Sequence, residues 1–285
     1  MSSIVYESHK YALKLMAIYY GIPVFTLGVV GSCLNIIVFL SLKTFRQSSC
    51  AFYLLMMSIF DLGRLFTTTL RSILILGFGI DWSLSSLLYC RIHVACLTIC
   101  ILTSITCLCL AIIDQYLATC QHIRWHEYCQ IKLAYRLVFI LTFIWILHGI
   151  PYAIFYDHIT SPTTREIICQ ITNENFIIYH AYGFFLTLNN LLPILSVIFG
   201  YMAFQNCRAI AYQRVPIFRR ELDKQLTVMV LIQVSINFLT FLPYSIQSMC
   251  GLITLSEDKN VPFRANMALA SRITLFFSMI GLIVS

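Results

Sequence analysis

The sequence predicts an all-α membrane protein: a seven-transmembrane helix bundle with its N-terminus extracellular. Three observations predict it. Seven apolar stretches, over residues 17–42, 50–76, 91–116, 135–155, 178–204, 225–253 and 264–285, punctuate the chain. Each is long enough to cross a hydrocarbon core of about 30 Å at about 1.5 Å per helical residue. Composition agrees, with 59% hydrophobic residues and 11% charged, against roughly 25% charged in a soluble domain. Lysine and arginine crowd one side: Lys43, Arg46, Arg124, Lys132, Arg136, Arg208, Arg214, Arg219, Arg220 and Lys224 fall inside if the N-terminus is outside. Fewer basic residues, Lys10, Lys14, Arg91, Arg165, Lys259 and Arg264, fall outside, where they mix with acids. That asymmetry sets the orientation.

Backbone groups cannot stay unpaired in lipid, so each stretch is read as a helix. Residues 1–16 are a short extracellular tail lacking the apolar core and cleavage site of a signal peptide. Residues 17–285 form one transmembrane domain. The loops are short except between the fourth and fifth spans, which leaves no room for a soluble catalytic domain. The net charge of +7 is leaflet orientation and membrane-lipid contact, not nucleic-acid binding. Of the 12 cysteines, Cys90 and Cys169 face the oxidising side and are expected to pair. No Cys/His spacing resembles a structural zinc site.

The spans carry ordered marks. The first has Asn35 after Gly31-Ser32-Cys33-Leu34, and the second has Asp61 in Ser58-Ile59-Phe60-Asp61-Leu62. Trp82 and Cys90 follow, and the third span ends Asp114-Gln115-Tyr116. The rise from Cys90 to Gln115 is about 37 Å, enough to cross the bilayer. Trp145 marks the fourth span, Pro193 with Tyr201 the fifth, and Phe241-Leu242-Pro243-Tyr244 the sixth. Pro151, Pro193 and Pro243 are expected to kink their helices.

This order and spacing resemble the rhodopsin-like (class A) G-protein-coupled receptors over nearly the whole chain, and more loosely the invertebrate neuropeptide-type members. The resemblance implies an extracellular ligand, expected to be a peptide, and activation of a heterotrimeric G protein without enzymatic chemistry. It gives Asp114, Gln115, Tyr116, Pro193, Tyr201, Asp223 and Pro243 to the switch and the coupling surface. It also implies a sodium and water site around Asp61 with Asn35 and Ser104. Arg64, one turn from Asp61 on the same helix face, offers an internal ion pair instead, and both readings stay open. The final apolar stretch stops at Ser285, short of the Asn-Pro-x-x-Tyr segment of such receptors, which reads as truncation within the seventh helix.

Helical spacing places Asp61, Arg64, Thr68 and Arg71 on one stripe that lipid would not accept. Arg71 and Arg272 are candidates for holding an anionic or carbonyl-rich ligand group. Equally, they pair with Asp81, Glu166 or Glu257. Leu97 stands where amine receptors carry an aspartate, which argues against a small amine. Tyr182, Phe185, Asn189, Phe241, Tyr244 and Gln247 are expected to line a pocket for a peptide end, or else to pack between helices. Gln115 replaces the usual arginine of Asp-Arg-Tyr and leaves Asp223 without that partner, so the inactive lock is expected to be weak. A non-signalling binder or decoy is the alternative. A channel or transporter would call for pore acids or inverted repeats, and neither is visible. A membrane enzyme would need an acid or histidine cluster around His93 or His148.

Overall fold

The computed structural model describes residues 2–42, 45–120, 123–160, 167–210, 217–254 and 261–281. Seven long helices cross one another in a single bundle: α1 (residues 2–41), α2 (Ser49–Phe78), α3 (Leu87–Thr119), α4 (Ile131–Phe155), α5 (residues 174–210), α6 (Ile217–Thr254) and α7 (Val261–Ser278). Six of these have apolar windows long enough to span a bilayer. Among the described residues, the apolar part of α7 is the shorter Leu269–Ser278. The expected tail over residues 1–16 is not separate from the first span. Ser2–Met16 is helical and runs on through a π-helical turn at Ala17–Gly21, since neither glycine nor proline breaks the chain there.

Local signals set the helix ends. Ser48, Asp81, Ser86 and Asn173 each accept a backbone N–H of the helix or turn that follows, which satisfies donors otherwise left open. Gly79 closes α2 in the left-handed region (φ 72°). Its N–H donates to Ile75 O, while Ile80 N–H reaches back to Leu74 O, a closure that favours glycine.

The third helix is the hub. It packs against α2, α4, α5 and α6, and 56% of its apolar window lies inside the bundle, against 17% for α4. Gly149 permits the close approach of α4: a Cβ there would lie 2.8 Å from the Ile99 side chain. Trp145 of α4 donates its indole N–H to Thr106 Oγ1 of α3 at 3.1 Å.

Between α4 and α5 the chain forms an antiparallel hairpin, β1 (Tyr156–Thr160) and β2 (Ile167–Ile171), with His158 opposite Cys169. The Cys90–Cys169 disulfide ties β2 to the start of α3. Arg91 fastens the other strand, donating from Nε to Tyr156 O (2.9 Å) and from Nη2 to Asp157 Oδ2 (3.2 Å). His158 Nε2 shares a hydrogen bond with Ser83 O at 2.6 Å. The main apolar core lies at the opposite end, where Leu54, Met57, Cys107, Ala111, Ile112 and Val230 join α2, α3 and α6.

Candidate functional site

A cavity of about 490 Å³ opens beneath the hairpin and runs down the middle of the bundle. Its upper wall includes Tyr156 and Cys169; its floor reaches Asp61, Ser104 and Leu108. That size suits a drug-sized or short-peptide ligand. Of the expected stripe, Asp61, Arg64, Thr68 and Arg71 all face it, as do Leu97, Phe241, Tyr244 and Arg272.

The ionic groups are not equivalent. Arg71 Nη2 donates to Ser83 Oγ (2.9 Å) and lies 3.6 Å from Asp81 Oδ2, while Ser83 Oγ donates to Asp81 Oδ1 at 2.5 Å. Arg71 is therefore engaged within the protein, the second of its two sequence readings. Beside it, burial pushes the Tyr156 phenol above its ordinary pKa, with Arg71 pulling the other way. At the floor, Ser104 Oγ donates to Asp61 Oδ1 at 2.5 Å. Arg64 lies within electrostatic reach of Asp61 and of Tyr244. Asn35 is half-buried on α1.

Two expected pocket residues sit elsewhere. Tyr182 is exposed on α5 and does not line the cavity. Gln247 instead donates to Met267 O of α7 at 3.4 Å. Phe185 and Asn189 lie on α5, with side chains outside the described residues. The reason for the misplacement is local: Tyr179–Leu188 is π-helical, and a wider turn rotates which residues face inward. His180 and Phe184 line the cavity in their place. Their rings stack at 5.4 Å, and Tyr152, fully buried, shares a hydrogen bond with His180 Nδ1 at 3.0 Å.

The switch residues lie at the far end. Both carboxylate oxygens of Asp114 accept from Ser49 Oγ at 2.8 Å. Gln115 is buried, and its Oε1 accepts from Thr227 Oγ1 of α6 at 2.7 Å. The glutamine thus joins α3 to α6 without charge, a contact that sequence reasoning overlooked because it sought an acid partner. Asp223 lies on α6, its side chain outside the described residues. Tyr116 packs on Phe199 at 5.6 Å, whereas Tyr201 faces outward. Pro193 and Pro243 both lie inside helices, and Pro193, Asn237 and Phe241 line the lower cavity.

The family model described as 7 transmembrane receptor (rhodopsin family) matches residues 31–284. No curated protein matches the chain. Seven crossing helices, a disulfide-tethered hairpin over a central cavity, and that match across most of its length make one conclusion: the chain belongs to the rhodopsin family of seven-transmembrane receptors and is a multi-pass protein of the plasma membrane.

Proposed function

We propose that this receptor binds an extracellular peptide and activates a heterotrimeric G protein, with its N-terminus and hairpin outside the cell and no chemical reaction catalysed. One observation carries the reading: a single cavity connects the hairpin to Pro193, Asn237 and Phe241, next to the proline kinks of α5 and α6. A ligand that prefers the open arrangement shifts the population toward it. Moving that equilibrium from 1:99 to 99:1 takes about 5.5 kcal/mol of differential binding. A neutral hydrogen bond such as Gln115–Thr227 contributes only about 0.5–1.5 kcal/mol, so ligand binding can override it. The coupling surface comprises Gln115, Tyr116, residues 117–132, Tyr201 and the basic segment over residues 214–224.

The test is G-protein nucleotide exchange in membranes displaying equal amounts of the chain and of Gln115→Arg, with and without a peptide pool. Exchange above empty membranes that changes with the arginine supports the reading. Silence in both, despite display and peptide binding, rejects it in favour of a non-signalling binder. That second reading draws on Gln115 itself, which carries no charge toward a G protein.

Asp61 and Ser104 supply oxygens that suit a sodium ion, but Arg64 brings a full positive charge within reach of the same carboxylate. The reading therefore assigns Asp61 to Arg64 rather than to sodium. Replacing sodium with N-methylglucamine is expected to leave ligand affinity unchanged, while Arg64→Leu gains a sodium dependence. Sodium-sensitive affinity in the unaltered chain would refute the assignment.

A further inference from the structure

Among the described residues, the charges facing the cavity do not balance. Three arginines (Arg64, Arg71, Arg272) and two aspartates (Asp61, Asp81) face it, one positive charge in excess. Arg71 and Asp81 close on each other through Ser83, so the excess belongs to the remaining group of Asp61, Arg64 and Arg272. Arg64 of α2 and Arg272 of α7 both line the cavity, and the Tyr244 phenol lies within electrostatic reach of both. Among the described residues lining the cavity, the one carboxylate besides Asp81 is Asp61, which lies within electrostatic reach of Arg64 and accepts from Ser104. Among the described residues neither guanidinium makes a hydrogen bond or a salt bridge. An arginine within the membrane is costly unless paired or hydrated, and one aspartate cannot neutralise two guanidinium groups.

We propose that the missing counter-charge is supplied by the ligand: a carboxylate carried into the cavity and held between Arg64 and Arg272, with the Tyr244 hydroxyl as a further donor. The proposal rests on the reading of this cavity as the ligand site. Guanidinium groups present paired N–H donors that match the two oxygens of a carboxylate. One carboxylate brings the Asp61–Arg64–Arg272 group to neutrality, whereas a dianion would overshoot it and an amine would add to the imbalance. The cavity walls around this point, Leu97, Ile101, Phe184, Phe241 and Leu275, are apolar, so the acid sits at the end of an apolar body. A peptide with a free C-terminus meets that description, and so does a fatty acid. Arg71, the arginine nearer the hairpin, is excluded from the role by Asp81.

The test uses the full chain in lipid nanodiscs and reads ligand-induced shifts in melting temperature. The probes are apolar tri- and tetrapeptides with free C-termini, the same peptides as C-terminal amides, and decanoate. Free acids are expected to raise the melting temperature and the amides not to. Arg64→Gln and Arg272→Gln are each expected to weaken acid binding by about tenfold or more; Arg64→Lys recovers part of it, and Arg71→Gln keeps it. Melting without probe shows that each variant is folded. A response to decanoate but not to the peptide acids upholds the carboxylate and assigns it to a lipid source. Amides as effective as acids, no acid acting at about 1 mM, or an Arg64→Gln response equal to the unaltered chain would overturn the proposal. Nucleotide exchange in the same nanodiscs separates the two readings. Acids that bind without raising exchange break the signalling reading alone; an amide that drives exchange equally in Arg64→Gln breaks this inference alone.

Discussion

The two ends of the bundle use opposite physics. Beneath the hairpin the helices stand apart around a largely apolar cavity whose walls also carry arginines and aspartates. At the Gln115 end they close into a dense apolar core in which Ser49 bonds to Asp114 and Thr227 to Gln115. A hollow, charged region can exchange its contacts for those of a ligand at little structural cost. A packed region has two discrete arrangements at most, because interiors are close-packed and do not deform continuously. Under the proposed function, the contrast separates sensing from switching, and the cavity lining at Asn237 and Phe241 is where the two would meet.

The largest break in that contrast should come from the hairpin. The disulfide bridges residues 79 apart in sequence. Cys90→Ser or Cys169→Ser is expected to destabilise the receptor by about 2–5 kcal/mol, read as a fall in melting temperature. The same fall on reduction of the unaltered chain would assign it to the bond. No fall in either case would mean that Arg91 and His158 suffice to hold the hairpin.

A smaller effect is expected at the packed end. Gln115→Leu removes the acceptor for a buried hydroxyl, and Thr227→Val removes the donor. Each should cost about 0.5–1.5 kcal/mol of the observed arrangement. For about 1 kcal/mol, basal exchange would rise about fivefold. The double variant should add nothing to the larger single effect, because both delete one bond. Additive effects would show that the two side chains act separately and would remove the neutral link between α3 and α6.

The smallest effect is predicted for Arg71→Gln. Its pair with Asp81 is partly exposed, at 31% and 18%, and solvent screening holds such pairs to about 0.2–1 kcal/mol. A loss of stability several times larger would place this pair in the structural frame rather than at the rim of the cavity.

The helices were legible in the sequence because a bilayer imposes one demand on every span: about 20 apolar residues with the backbone paired internally. Asp61, Arg64 and Arg71 were legible as inward-facing for a related reason, since lipid penalises charge. The faces of α5 were not legible. Reasoning from a period of 3.6 turns Tyr182 inward, but in the π-helical stretch Tyr179–Leu188 it is His180 and Phe184 that line the cavity, while Tyr182 is exposed. Backbone hydrogen-bond register is set by packing against α4, where Tyr152 meets His180, and leaves no periodic sign.

By itself the sequence determined the number of spans, the disulfide pair, the central acid and the substitution of glutamine for arginine at Gln115, because each is fixed by hydropathy or by order along the chain. Only the tertiary structure decided which arginine is satisfied. Asp81 lies on a loop whose reach back to Arg71 depends on the turn at Gly79, while Arg64 and Arg272 come from helices far apart in sequence. Likewise Thr227 becomes the partner of Gln115 only once α6 is packed against α3. Charge pairing and buried hydrogen bonds are set by distances of a few ångströms between elements, and those distances exist only in the folded bundle.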